Sequence, residues 1–79
     1  MIEDRLAILL QFVAENDGSS LARTAKQLEI SQSELLRMLA VLGNDPTLGG
    51  LGLIDAKPDG ARRLLRLTDR GRLWLSQHA

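Results

Sequence analysis

Seventy-nine residues are the length of a single domain, and with 44% hydrophobic and 25% charged residues the chain has a globular, not a disordered, composition. It has no cysteine and one histidine, His78, which leaves no basis for a disulfide staple, a thiolate or His-based metal site, a Ser-His-Asp triad or a Cys-His pair. Formal net charge is zero, and Phe12 and Trp74 are the only aromatics, too few for the stacking platforms of single-strand binders.

The apolar runs Leu6 to Leu10 and Met38 to Leu42 fall far short of a membrane span of about 20 residues. Glu3 and Asp4 stand where a signal peptide would carry basic residues. The expectation is one cytoplasmic domain, residues 1–79, that binds a partner, with no membrane association, no metal, no cofactor and no enzymatic activity.

Apolar residues at Ile2, Leu6, Leu9, Leu10 and Val13 follow one helical face over 2–15, with Glu3 and Asp4 in the first turn. Ile8 and Phe12, four apart, form an adjacent flank. Asn16-Asp17-Gly18 ends the helix. Ser19 or Ser20 caps a second helix to about Leu28, with Leu21, Ala25 and Leu28 inward. After Glu29-Ile30, Ser31 and Glu34 form a capping box for a third helix to about Leu42, with Leu35, Leu36, Leu39 and Leu42 in register. Gly43-Asn44-Asp45-Pro46 stops it, and Thr47 to Gly50 is loop.

Leu51 to Lys57 reads as a strand, Pro58 to Ala61 as a turn and Arg62 to Leu67 as the returning strand, so 51–67 is a β-hairpin. Alternation sends Arg62, Leu64 and Arg66 to one face and Arg63, Leu65 and Leu67 to the other. Thr68 caps a short last helix from Asp69 to about Gln77, in which Gly71 is a weak point and His78 a frayed end. The expected core is Leu9, Val13, Leu21, Ala25, Leu28, Leu35, Leu39, Leu53 and Leu67. The fold class is mainly α with a small β-hairpin: a three-helix bundle, a wing and a short C-terminal helix, the layout of a winged helix-turn-helix.

Charge is not evenly spread. Residues 1–56 carry four bases against eight acids, and residues 57–79 carry six bases against two acids. An acidic front joined to a basic back marks either a phosphate-facing surface or a solvated basic strand and helix.

The segment Ala25-Lys-Gln-Leu28-Glu-Ile30-Ser31-Gln-Ser33-Glu-Leu35-Leu-Arg37-Met-Leu39 reads as a tight two-helix corner. Ala25 is small where the next helix crosses, and Gln32, Ser33 and Arg37 are left outward. Gln pairs with adenine and Arg with guanine, so these three are base readers or else solvated helix positions. Glu34 is read as a cap before a cytosine reader. The segment resembles the helix-turn-helix of bacterial regulators. Residues 20–75 resemble the winged-helix domain of the MarR family, through Leu51-Gly52-Leu53-Ile54, Asp59 and Leu67-Thr68-Asp-Arg-Gly71. Glu29 stands where such corners usually carry Gly, and Ala61 where the family's wing usually has Arg, with Arg62 and Arg63 next. The family's long dimerisation helices, and the effector pocket near them, are expected to be absent.

The resemblance implies sequence-specific binding of double-stranded DNA by a small prokaryotic transcriptional regulator. Helix 32–43 would enter the major groove and the tip of hairpin 51–67, at 57–63, would meet the backbone or minor groove. The DNA-binding residues are then Gln32, Ser33, Arg37, Lys57, Arg62 and Arg63, with Arg70 and Arg72 covering the last helix. A homodimer would double the phosphate contacts. Ile8, Phe12 and the helix around Trp74 are its available surfaces, and core packing is the alternative role for Trp74. The other function class is a winged-helix module that binds protein and not DNA, as a subunit of a larger complex. Zero net charge, Glu34 and Ala61 favour it.

Overall fold

Three helices among the described residues begin where the sequence supplies a hydroxyl for their open N–H groups. In the computed structural model, which describes residues 4–43 and 49–78, helix α1 spans Asp4–Glu15 with Asp4 in its first turn. Asn16 closes it, since its backbone N–H and its side-chain amide both donate to the Phe12 carbonyl at 2.9 and 3.0 Å. Helix α2 (Leu21–Gln27) is capped by Ser20, whose hydroxyl accepts from the Arg23 N–H at 3.1 Å. Helix α3 (Gln32–Leu42) is capped likewise by Ser31, from the Glu34 N–H. Helix α4 (Asp69–His78) starts at Thr68, whose hydroxyl accepts from Gly71 N–H at 3.0 Å. The expectations placed on Ile2, Glu3 and Asn44-Asp45-Pro46-Thr47 lie outside the described residues.

The first strand of the hairpin, expected over 51–57, begins three residues later and ends two residues later, so 51–53 are not strand. Strands β2 (Ile54–Asp59) and β3 (Arg62–Leu67) pair antiparallel with Ile54 opposite Leu67 and Asp59 opposite Arg62. Pro58 and Asp59 therefore belong to the strand, and the turn is only Gly60-Ala61. Gly60 has φ +62°, which a two-residue hairpin turn led by glycine requires.

The sheet also has a third strand, which corrects the expectation of a bare hairpin. Ser19–Ser20 is a short strand β1, pairing antiparallel with Leu65 and Leu64, so the order is β1-β3-β2. Gly18 N–H adds a bond to the Leu65 carbonyl at 2.9 Å. The physical reason is backbone satisfaction: Leu65 is fully buried, and its peptide groups need partners on both sides. Thr24 seals the junction. It is fully buried, and its hydroxyl donates to the Ser20 carbonyl at 2.8 Å, with the Ser19 hydroxyl 3.2 Å away. Among the described residues no buried side-chain nitrogen or oxygen lacks a partner.

The core sits between α1, α3 and the inner face of the sheet. Leu6, Leu9, Leu10 and Val13 of α1 meet Ala25, Leu35, Met38, Leu42, Leu53, Ile54, Leu65 and Leu67. Leu21, Leu28 and Leu39, expected inside, are half-buried and pack against this cluster. Leu36, placed in the apolar register from sequence, is instead exposed, and Met38 takes the inward place. At 100° per residue, Leu35, Met38, Leu39 and Leu42 close one narrow stripe and leave Leu36 off it.

Residues 51–53 tie the two ends of the molecule together. Their N–H groups donate to Val41, Gly43 and Leu42 carbonyls, each at 2.8 Å, which holds the end of α3. Their carbonyls accept from the start of α4: Leu51 from Arg70 at 3.3 Å, Gly52 from the Thr68 hydroxyl at 2.6 Å, Leu53 from Thr68 N–H at 3.1 Å. Gly71 makes this approach possible. It is buried, and a Cβ there would overlap the Leu53 carbonyl oxygen and come within 3.0 Å of Leu67. Read as a helix weak point, it is a contact point. Among the described residues no helix is long and apolar enough to cross a membrane.

Alanine is the better helix former, by up to about 1 kcal/mol. Gly71→Ala is nonetheless expected to destabilise the fold by about 1–3 kcal/mol through overpacking. At this chain length each kcal/mol lowers the melting temperature by about 4–8 °C, which a thermal unfolding curve measures.

Candidate functional site

The corner between α2 and α3 is built from backbone bonds around one left-handed residue. Glu29 has φ +57°. Its N–H donates to the Lys26 carbonyl at 3.2 Å, and the Ile30 N–H reaches the Ala25 carbonyl at 3.0 Å. This pair of bonds is the Schellman closure of α2, with a glutamate in the place glycine usually takes. Ile30 then packs against the core, and Ala25, 3% exposed, lies under the crossing. Only the Ser31 half of the expected capping box forms in the expected way. The Glu34 carboxylate turns to α1 and pairs with the Arg5 guanidinium.

The expected DNA-binding residues are all exposed or on the surface of their elements, but the structure distributes them over three places. Gln32, in the first turn of α3, lines a shallow groove of about 270 Å³ with Arg62 and Arg63 of the hairpin, Ala61 at its tip, and Ser20, Leu21 and Ala22 at the start of α2. Among the described residues no acidic side chain lines this groove. Arg37 is about 140° round the helix from Gln32, at 100° per residue over five residues. It lines a second groove of about 230 Å³ against α1, with Arg5, Leu6, Glu34, Met38 and Val41. Ser33 lies between these flanks and faces outward.

Lys57 stands apart from both grooves. Opposite residues of an antiparallel pair share a face, so Lys57 lies with Leu64, Asp55 with Arg66 and Asp59 with Arg62 on the outer face of the sheet. Arg63 shares the inner face with Pro58, beyond the end of the core. The alternation expected for these arginines is the one observed. Asp59 lies 3.7 Å from Arg62, and with both side chains largely exposed the pair holds Arg62 only weakly.

A third, broader groove of about 670 Å³ runs between α1 and α4. Asp4 and Ala7 line one wall, Leu73, Trp74, Gln77 and His78 the other, with Leu51, Leu53 and Arg70 at one end. Trp74 both packs on the core and lines this groove. His78, expected to fray, is the last residue of α4 and stacks on Trp74, with ring centroids 4.4 Å apart at 18°. Among the described residues no three His, Asp or Glu side chains gather into a potential metal site.

No family model, curated protein or solved structure matches the chain. The roles of these surfaces rest on their own geometry and chemistry.

The left-handed backbone at Glu29 costs about 1 kcal/mol or more for a residue with a Cβ. Glycine removes that cost and adds about 0.4–1 kcal/mol of unfolded-chain entropy. Glu29→Gly is therefore expected to stabilise by about 0.5 kcal/mol, and the β-branched Glu29→Val to destabilise. The denaturant midpoint should move up for the first and down for the second, with an unchanged slope.

Proposed function

We propose that this chain is a winged helix-turn-helix domain of MarR-like type that binds double-stranded DNA and acts in transcriptional regulation. The observation that carries the reading is the groove shared by Gln32, Arg62 and Arg63, which puts the start of α3 and a basic hairpin on one surface. A helix entering the major groove reads base edges with the residues of its first turns. Gln32 and Ser33 occupy those positions, and Gln pairs bidentately with the N6 and N7 of adenine. The hairpin arginines beside them meet phosphate or the adjacent minor groove. Arg37, on the far flank of α3, meets the opposite side of the groove, and the Arg5–Glu34 pair draws the Glu34 carboxylate towards α1.

A protein partner is favoured by a different observation, the apolar groove between α1 and α4. We assign that groove to a second copy of the chain, the homodimer of the DNA reading, and not to the partner of a module that binds protein and not DNA. Asp4 and Arg70 both line the groove and carry opposite charges, so a two-fold axis that passes between them would set each against its opposite in the other copy. Exposed Leu51 and Leu73 supply the apolar surface. Two copies double the number of arginines presented to a palindromic site.

Fluorescence anisotropy against a mixed-sequence duplex at about 50 and 200 mM salt tests the DNA reading. Binding should be present at low salt and fall steeply as salt rises. Arg62→Ala or Arg63→Ala should weaken all sequences alike and reduce the salt slope by about one unit. Gln32→Ala should cost about 1–3 kcal/mol at one base position and relax preference there. Absence of duplex binding at low salt sinks the reading.

Analytical ultracentrifugation at micromolar concentration tests the second copy. The wild type should sediment above the monomer mass in a concentration-dependent way, and Leu73→Glu should return it to monomer. A wild type that stays monomeric across the range removes the dimer.

A further inference from the structure

Leu36 is one of two large apolar residues that the core leaves exposed on α3. It is 46% exposed. Four residues after Gln32, it continues the same stripe of the helix, about 6 Å further along the axis at 1.5 Å per residue. That advance spans about two base-pair steps of about 3.4 Å each. The stripe carries no charge of its own, because Glu34 lies on the other flank against Arg5. Arg62 and Arg63 share a groove with Gln32 at the start of the stripe, and Arg37, next to Leu36 in sequence, lines the groove on the α1 side. Val41, the other exposed apolar residue of α3, is about 140° away round the helix, so the two do not merge into an apolar patch. An exposed apolar side chain one turn beyond Gln32, on a helix that carries Arg37 and starts beside Arg62 and Arg63, suits a ligand with phosphates at its edges and a small apolar group between them.

We propose that Leu36 reads the C5-methyl group of thymine, so that α3 prefers an A·T step. The major groove presents one methyl group per A·T pair and none on G·C. Gln32 supplies the adenine contact, and Leu36 covers the methyl one turn on. This rests on α3 binding DNA.

The probe is a duplex of about 20 base pairs containing only A·T pairs, compared with the same duplex carrying deoxyuridine for every thymidine. Uracil keeps every hydrogen-bonding group of thymine and lacks only the methyl. Burial of one methyl corresponds to about a fourfold change in affinity. The wild type should bind the thymine duplex more tightly than the uracil duplex, by about fourfold for each copy of α3 engaged. Leu36→Ala should bind the two alike, while keeping the wild-type circular dichroism and salt slope. Equal wild-type affinities for the two duplexes overturn the proposal. So does a methyl effect that survives in Leu36→Ala, which would place the methyl contact elsewhere. A Leu36→Ala change in sedimentation, with binding untouched, would assign Leu36 to a protein contact instead. If neither these duplexes nor the mixed-sequence duplex binds at low salt, the DNA reading itself falls, an outcome distinct from loss of methyl preference alone.

Discussion

The rest of this molecule depends on the peptide bonds of residues 51–53. All six of their N–H and C=O groups are used, three towards the end of α3 and three towards the start of α4. Helices and sheets satisfy their own backbone, whereas a connecting segment at the edge of a core has to find partners elsewhere. Here the partners are two different helices. The position of α3 relative to the hairpin is thereby fixed by hydrogen bonds at its C-terminal end, and by Ala25, Leu35 and Met38 packing along its length. A helix held at its far end and along its inner face is free to present its first turn outward.

That arrangement explains how so small a core orders two surfaces. The inner face of the sheet and α1 bury the apolar residues, while β3 is paired on both edges, by β2 and by the two residues of β1. With both edges of β3 occupied, the hairpin tip projects from a fixed base. Its arginines, at the tip, keep their side chains in solvent next to Gln32. The ion pairs contribute little to this rigidity. Asp59 with Arg62 and Asp69 with Arg72 are exposed neighbours along one strand turn or helix turn.

What was legible in the sequence was local. Ser20, Ser31 and Thr68 announced helix starts because a cap acts within three residues of its own position. The hairpin was legible from the turn residues Pro58 to Ala61 between two strand-like runs, although Pro58 and Asp59 belong to β2. The features that escaped were those set by distant parts of the chain. Two serines have no alternation to mark them as a strand, and β1 exists only because Leu65 needs its backbone paired. Glu29 hid a Schellman turn by not being glycine. Gly71 looked like a defect until the Leu53 carbonyl was placed against it. Among the candidate site residues, exposure was correctly read, but grouping was not. Gln32, Ser33 and Arg37 are all outward, and the helical angle between them divides Gln32 from Arg37. The Arg5–Glu34 pair joins residues 29 apart and has no local signature.

Trp74 is the only tryptophan, there is no tyrosine, and the indole sits in the wall of the α1–α4 groove with the His78 imidazole stacked on it. The near-ultraviolet absorption and emission of this protein therefore come almost entirely from one ring at one surface. Whatever covers that groove changes the solvent around a single fluorophore, and the unlabelled chain carries its own optical gauge of occupancy there. Events at the hairpin and α3 take place away from that wall, so the same spectrum distinguishes changes at one face of the domain from changes at the other.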